Sequence, residues 1–101
     1  MSADAIVVTV ERGLQDLIPA FLAQRQADQA AIVAALPLRN FEALRRTGHG
    51  MAGAGASYGF ERISDLGERL VLAARAGDVA ALEVLQREFD DYMTRLVVKY
   101  R

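Results

Sequence analysis

The sequence predicts an all-α fold, an up-down antiparallel four-helix bundle with a short N-terminal helix or extended arm. Three observations support this prediction. Apolar residues recur at intervals of three and four along most of the chain. Prolines, glycines and capping residues divide this pattern into four segments with short connections. Hydrophobic residues make up 52% of the 101 residues, which is ample for one core, so we expect residues 1–101 to form a single domain.

The N-terminal segment has two parts. "AIVVTV", residues 5–10, is short, β-branched and apolar, which predicts an extended arm or strand. From Glu11 onward the period becomes helical, and Pro19 lies inside this run, so we expect a short first piece and a break or kink near Ile18. The apolar positions of the run are Leu14, Leu17, Ile18, Phe21 and Leu22, followed more weakly by Ile32, Val33 and Leu36.

Three further helices are predicted after Pro37, which ends the first unit. Asn40 is placed to cap a helix that starts at Phe41, and Asp78 is placed to cap the last one. Gly77 suits the left-handed residue at the end of the third helix. The third helix presents Phe60, Ile63, Leu66, Leu70 and Ala73 or Ala74 on one side, and the fourth presents Val79, Leu82, Leu85, Phe89, Tyr92, Met93 and Leu96.

The closing "LVVKY", residues 96–100, is β-branched again and is predicted to pair with the N-terminal arm.

Composition excludes several classes of function. Twelve basic and thirteen acidic residues give a net charge of −1, which argues against a nucleic-acid partner. The absence of cysteine excludes disulfides and thiolate metal sites. The N-terminus lacks the pattern of a signal peptide, and no apolar run approaches the roughly 18 residues of a membrane span. We therefore expect a cytoplasmic protein without a membrane partner. A monomer is also expected, because the bundle has no obvious spare apolar face.

The stretch "RRTGHGMAGAGASYGF", residues 45–60, contains the one histidine of the chain and most of its glycines. Helical geometry advances about 100° per residue, which places His49 about 130° from the centre of the predicted core stripe. His49 should therefore face solvent. The predicted core stripe of this helix consists of Leu44, Gly48, Met51 and Gly55.

The predicted surface around His49 is unusually bare. A glycine inside a helix costs about 1 kcal/mol relative to alanine. Close helix packing would explain Gly48 and Gly55, but Gly50 and Gly53 lie off the core stripe. We infer that another molecule approaches the backbone beside His49. The neighbours on this face are Glu42, Arg45, Arg46, Ala52, Gly53 and Ala56, three of which have almost no side chain.

Several site types compete for this segment. "GHGMAG" matches the dinucleotide-binding pattern, but helical spacing precedes it and no strand pattern follows. A metal site would have one histidine and, as the nearest carboxylate, Glu42 seven residues earlier. A catalytic triad using Ser57 or Ser64 would lack an oxyanion hole and a water-excluding pocket. The remaining alternative is that His49 has no functional role and that the glycines around it are accidents of packing.

The pattern favours phosphoryl transfer. A neutral imidazole is nucleophilic near neutral pH, and phosphohistidine, a phosphoramidate, keeps its transfer potential. Such a histidine must project from a rigid surface with small neighbours, so that the active site of another protein can close over it. Nearby cations help by steadying the phosphoryl oxygens.

These residues resemble the histidine-containing phosphotransfer (HPt) family, whose pattern is roughly A-H-x-L-K-G-S-S-x-x-x-G. In "GHGMAGAGASYGF", His49 matches the phosphorylated histidine, Met51 the apolar position, Gly53 the following glycine and Gly59 the end of the segment. "LQDLIPAFLAQRQAD", "ISDLG" and "DDYM" extend the resemblance to single-domain bacterial members across nearly the whole chain. One departure is Ala52, which stands where the family usually has lysine.

The resemblance implies a phosphorelay intermediate. His49 would accept a phosphoryl group from the aspartate of a receiver domain and pass it to another receiver. The partners would be receiver domains of response regulators or hybrid histidine kinases. The protein would be a carrier and not an ATP-dependent kinase. It would need no cofactor of its own, with Mg²⁺ expected on the receiver.

The resemblance also suggests roles for neighbouring residues. Arg45 is the first candidate to stabilise the phosphoryl group in place of the missing lysine, and Arg46 is the second. Because Ala52 replaces that lysine, the alternative is a degenerate module that binds receivers without accepting phosphate. The predicted docking face consists of Gly50, Ala52, Gly53 and Ala56.

Overall fold

The computed structural model describes residues 4–101; residues 1–3, which are part of the predicted domain, lie outside the described range. The predicted four-helix bundle is confirmed, with a strand and a short 3₁₀ helix before it and a second strand after it. The elements in order are β1 (Ile6–Val10), the 3₁₀ helix (Arg12–Leu17), α1 (Ile18–Ala35), α2 (Phe41–Tyr58), α3 (Glu61–Ala76), α4 (Val79–Arg95) and β2 (Leu96–Tyr100).

The break predicted near Ile18 is confirmed. The 3₁₀ helix ends at Leu17 and α1 begins at Ile18, with Pro19 in its first turn. A proline is well tolerated there because the first N–H groups of a helix have no intrahelical partner.

The predicted helix ends are also confirmed. Asn40 and Asp78 cap α2 and α4, and each side chain accepts a hydrogen bond of 3.1 Å from the backbone N–H three residues later. Gly59 and Gly77 end α2 and α3 in the left-handed conformation, with φ of +84° and +63°. A residue without Cβ adopts this conformation at little cost, so both helices stop sharply.

The two ends of the chain pair as predicted. β1 and β2 form a parallel two-stranded sheet in which Ile6 lies opposite Leu96 and Val10 opposite Tyr100. The assignment of Leu96 to the fourth helix is wrong: α4 ends at Arg95, and Leu96 adopts extended backbone with ψ of 129°. The β-branched pair that follows Leu96 favours the strand, and pairing with β1 satisfies its backbone.

The buried face of α1 differs from the predicted one. Leu17, at the end of the 3₁₀ helix, and Val33 on α1 are 49% and 53% exposed, so their assignment to the apolar face is wrong. Two charged residues, Arg25 and Asp28, occupy core positions between the apolar ones. They are paired: Arg25 Nε donates a hydrogen bond of 2.6 Å to Asp28 Oδ2. The buried line of α1 is Ile18, Phe21, Arg25, Asp28, Ile32 and Ala35.

Helices α2 and α3 pack almost backbone to backbone. A Cβ on Gly48 would lie 2.7 Å from the carbonyl oxygen of Gly67, and a Cβ on Gly55 would lie 2.6 Å from the backbone nitrogen of Ser64. The prediction that Gly48 and Gly55 serve close helix packing is therefore confirmed. The His49 surface lies on one side of this closely packed helix pair.

Candidate functional site

His49 lies in the third turn of α2 with its side chain exposed, as the helical geometry predicted. His49 points outward because the opposite face of α2 is packed against the core. The buried residues of α2 are the four predicted ones, Leu44, Gly48, Met51 and Gly55.

The imidazole borders a shallow depression of about 320 Å³ between α2 and α3. Ala52 contributes a methyl group where the family pattern has an ammonium group. Three residues of α3 complete the lining: Glu68, Val71 and Leu72. Sequence reasoning did not single out these three. The sequence feature that could have identified two of them is that Val71 and Leu72 are apolar although they lie outside the core stripe of α3.

The surface on the other side of His49 is open. A Cβ built on Gly50 or Gly53 would meet nothing within 4 Å apart from its own helix and chain neighbours. Ala56, one turn beyond Ala52, is exposed as well. Helix packing therefore does not require glycine at positions 50 and 53, in contrast to Gly48 and Gly55.

Arg45 is already engaged by an acidic neighbour. Its guanidinium makes two contacts with the carboxylate of Glu42, Nη2 to Oε1 at 2.6 Å and Nε to Oε2 at 3.1 Å. This hydrogen bonding lowers the pKa of the Glu42 carboxyl and raises the pKa of Arg45. Arg46 is exposed, and its charge adds a smaller lowering of the pKa of Glu42. The structure thus places both candidate cations on the turn before His49, with Arg45 held by Glu42.

Comparison with protein families is consistent with this geometry. The model of the Hpt domain matches residues 16–98, a range that includes all four helices. The chain belongs to the Hpt domain family. Hpt domains are phosphotransfer carriers of phosphorelays and interact with receiver domains of two-component systems. Neither the curated proteins nor the solved structures compared with the chain give a significant match.

The serines near the histidine of this Hpt domain donate to the backbone. Ser57 Oγ donates to the carbonyl oxygen of Gly53 at 3.1 Å, and Ser64 Oγ donates to that of Ala52 at 2.8 Å. Both hydroxyls therefore serve local structure, Ser57 within α2 and Ser64 across the α2–α3 contact.

Two further features concern the described part of the Hpt domain as a whole. Among residues 4–101, no three histidine, cysteine, aspartate or glutamate side chains are grouped so that they could hold a metal ion. Across the same range, none of the helices combines the length and apolar character needed to cross a membrane.

Proposed function

We propose that this Hpt domain is a phosphorelay intermediate, with His49 accepting a phosphoryl group from the aspartate of one receiver domain and donating it to another. One observation supports this assignment above the others. The single imidazole of the chain is exposed on α2, and the residues that follow it on the outer surface of this helix have almost no side chain. The small residues that give this access are Gly50, Ala52, Gly53 and Ala56.

Phosphoryl transfer requires little of the carrier except that it place its imidazole nitrogen in line with the phosphorus atom. An imidazole nitrogen attacks phosphorus in line, the new N–P bond forms, and the P–O bond to the aspartyl carboxylate breaks. The aspartate leaves as a carboxylate, and reversal of these steps on a second receiver returns the imidazole to its starting state. The receiver would bring Mg²⁺ and the acidic residues, so this domain needs no nucleotide site.

The phosphoryl group would meet few positive charges on the carrier itself. Ala52 provides none, and Glu68 places a carboxylate in the depression beside His49. Arg45 can assist through the N–H donors that Glu42 leaves free, or by exchanging Glu42 for phosphoryl oxygens. Phosphate is the more highly charged acceptor, which favours this exchange once His49 is phosphorylated.

A second candidate function is receiver binding without phosphate transfer. The replacement of the family lysine by Ala52 and the carboxylate of Glu68 both favour it, because each makes the surroundings of a phosphoryl group less positive. The two functions differ in whether His49 becomes labelled, so one experiment separates them.

The experiment incubates the protein with receiver domains that hold radiolabelled aspartyl phosphate, in the presence of Mg²⁺. Phosphotransfer predicts acid-labile, alkali-stable label on the protein and none on His49→Gln. Gly53→Glu should remain folded, because the position is open, but should lose label because the new side chain blocks approach. Receiver binding without label on the unsubstituted protein would establish the second function instead.

A further inference from the structure

A mostly apolar groove of about 440 Å³ lies between α3 and α4. Leu72 on one wall is 65% exposed, and Val84 on the other is 43% exposed. Large apolar side chains so exposed around a groove are typical of a protein contact. The apolar lining consists of Leu72, Ala73, Ala76, Ala81, Val84 and Leu85.

This groove is continuous with the surface beside His49. Leu72 lines both the depression at the histidine and the α3–α4 groove. The depression at His49 and the groove therefore meet at Leu72 on α3, between Ala52 on α2 and Val84 on α4. A partner that covers His49 would also contact the groove if its interface extended across the side chain of Leu72.

Carboxylates outnumber cations among the charged residues that line the groove or pair with its lining. Arg69 is the cation on the rim, and it is shared between two carboxylates, Glu88 at 3.1 Å and Asp65 at 3.6 Å. Asp78 lies at the other end of the groove, and the exposed Glu68 lies in the adjoining depression. The charges around the apolar surface thus favour a partner with a basic residue next to its apolar contact.

We infer that the receiver domain proposed to close over His49 also inserts an apolar side chain, flanked by a basic residue, into the α3–α4 groove. This inference rests on the proposed function. The groove gives the partner an apolar anchor away from the reacting atoms, and such anchors contribute much of the affinity of small interfaces. Helix α4, which makes no part of the phosphoryl site, would thereby contribute to the choice of receiver.

Val84 offers a test with a matched control. It lies in the groove but not in the depression at His49, and Val33 on α1 is a similarly exposed valine outside both surfaces. The variants are Val84→Ala, Val84→Lys, Val33→Ala and Val33→Lys, each combined with His49→Gln so that binding is measured without transfer. Alanine and lysine are good helix formers, and circular dichroism melting verifies that each variant is folded.

Affinity is measured by calorimetry against purified receiver domains from the source organism. We expect Val84→Ala to weaken binding about fivefold and Val84→Lys at least tenfold, while both Val33 variants bind as the parent does. Raising the salt concentration should weaken binding of the parent, because the rim attracts a basic residue.

Each outcome separates this inference from the proposed function. Equal affinities for the Val84 and Val33 variants, with label still appearing on His49 of the unsubstituted protein, would overturn the groove contact alone. A loss confined to the Val84 variants, with no label on His49, would support the contact and overturn phosphotransfer. Absence of binding to every receiver would overturn both.

Discussion

At the scale of single residues, the glycines of α2 divide into the two kinds that their positions on the helix predicted, and these differ in what a methyl group would meet. Gly55 lies against the backbone of α3, whereas Gly53 faces open space. We expect Gly53→Ala to stabilise the fold by about 1 kcal/mol, since alanine is the better helix former. Gly55→Ala should destabilise it, because the new methyl group would meet backbone atoms at 2.6 and 2.8 Å. Urea denaturation of the two variants measures both changes, and a loss of stability in Gly53→Ala would contradict the open surface.

A second prediction at this scale concerns the charges before and after His49. Ala52→Lys should lengthen the lifetime of phosphohistidine severalfold, because an ammonium group would lie one turn beyond the ring. Arg45→Ala should shorten it, since the proposed exchange from Glu42 to the phosphoryl group is lost. The lifetime follows from loss of label after removal of the receiver. Arg46→Ala is the matched variant on the same turn, and an effect there but not in Arg45→Ala would reverse the assignment of the two arginines.

At the scale of the helix, α1 contains a buried ion pair. Arg25 and Asp28 have side chains only 5% and 11% exposed, and the guanidinium also stacks 4.9 Å from the centre of the Phe21 ring. Burial raises the pKa of the Asp28 carboxyl, although Arg25 opposes the change. Removing two charges from water costs about as much as their attraction returns, so we expect the pair to contribute little net stability while each charge depends on the other.

The ion pair predicts a contrast between removing one partner and removing both. Arg25→Met should cost about 3 kcal/mol at neutral pH, because it leaves the Asp28 carboxylate buried without a counterion. Arg25→Met with Asp28→Leu should be at least as stable as the parent. Urea denaturation measures both.

The pH dependence of Arg25→Met has a definite sign. A carboxyl whose pKa is raised by folding binds more protons in the folded state, so stability falls as pH rises through the folded pKa and returns on acidification. Arg25→Met raises this pKa further and should therefore regain stability between neutral and mildly acidic pH. The double variant lacks the carboxyl and should lack this gain. Parallel pH profiles for the two would show that Asp28 is not the titrating group.

At the scale of the whole molecule, the paired strands tie the two ends of the chain to the bundle. Val98 points toward the core, whereas its neighbour Val97 is 40% exposed on the outer face. Val98→Asp should destabilise the protein by about 2 kcal/mol or more, because a carboxylate would enter apolar surroundings. Val97→Asp, the matched variant, should change stability by less than about 0.5 kcal/mol. Urea denaturation measures both changes, and similar losses of stability in the two variants would contradict the conclusion that Val98 faces the core.

Val98→Asp should also destabilise the strand that pairs with β2. β1 pairs only with β2 in the described sheet. Val98→Asp should therefore reduce hydrogen-exchange protection in β1 as well as in β2, while protection in α2 and α3 is retained. Protection lost uniformly through the helices would show instead that the strands and the bundle unfold as one unit.

The sequence by itself determined the elements and the direction in which His49 points. Apolar spacing, the caps at Asn40 and Asp78 and the break at Pro19 are local properties, so they could be predicted without a structure. Tertiary structure decided what meets across elements. It also decided which face of α1 is buried, and that face includes the charged residues Arg25 and Asp28, which the apolar pattern of α1 did not predict. The residues of α3 beside His49 became neighbours only when Gly48 and Gly67 brought two helices into contact. Periodicity describes one helix at a time, whereas a binding surface forms between helices.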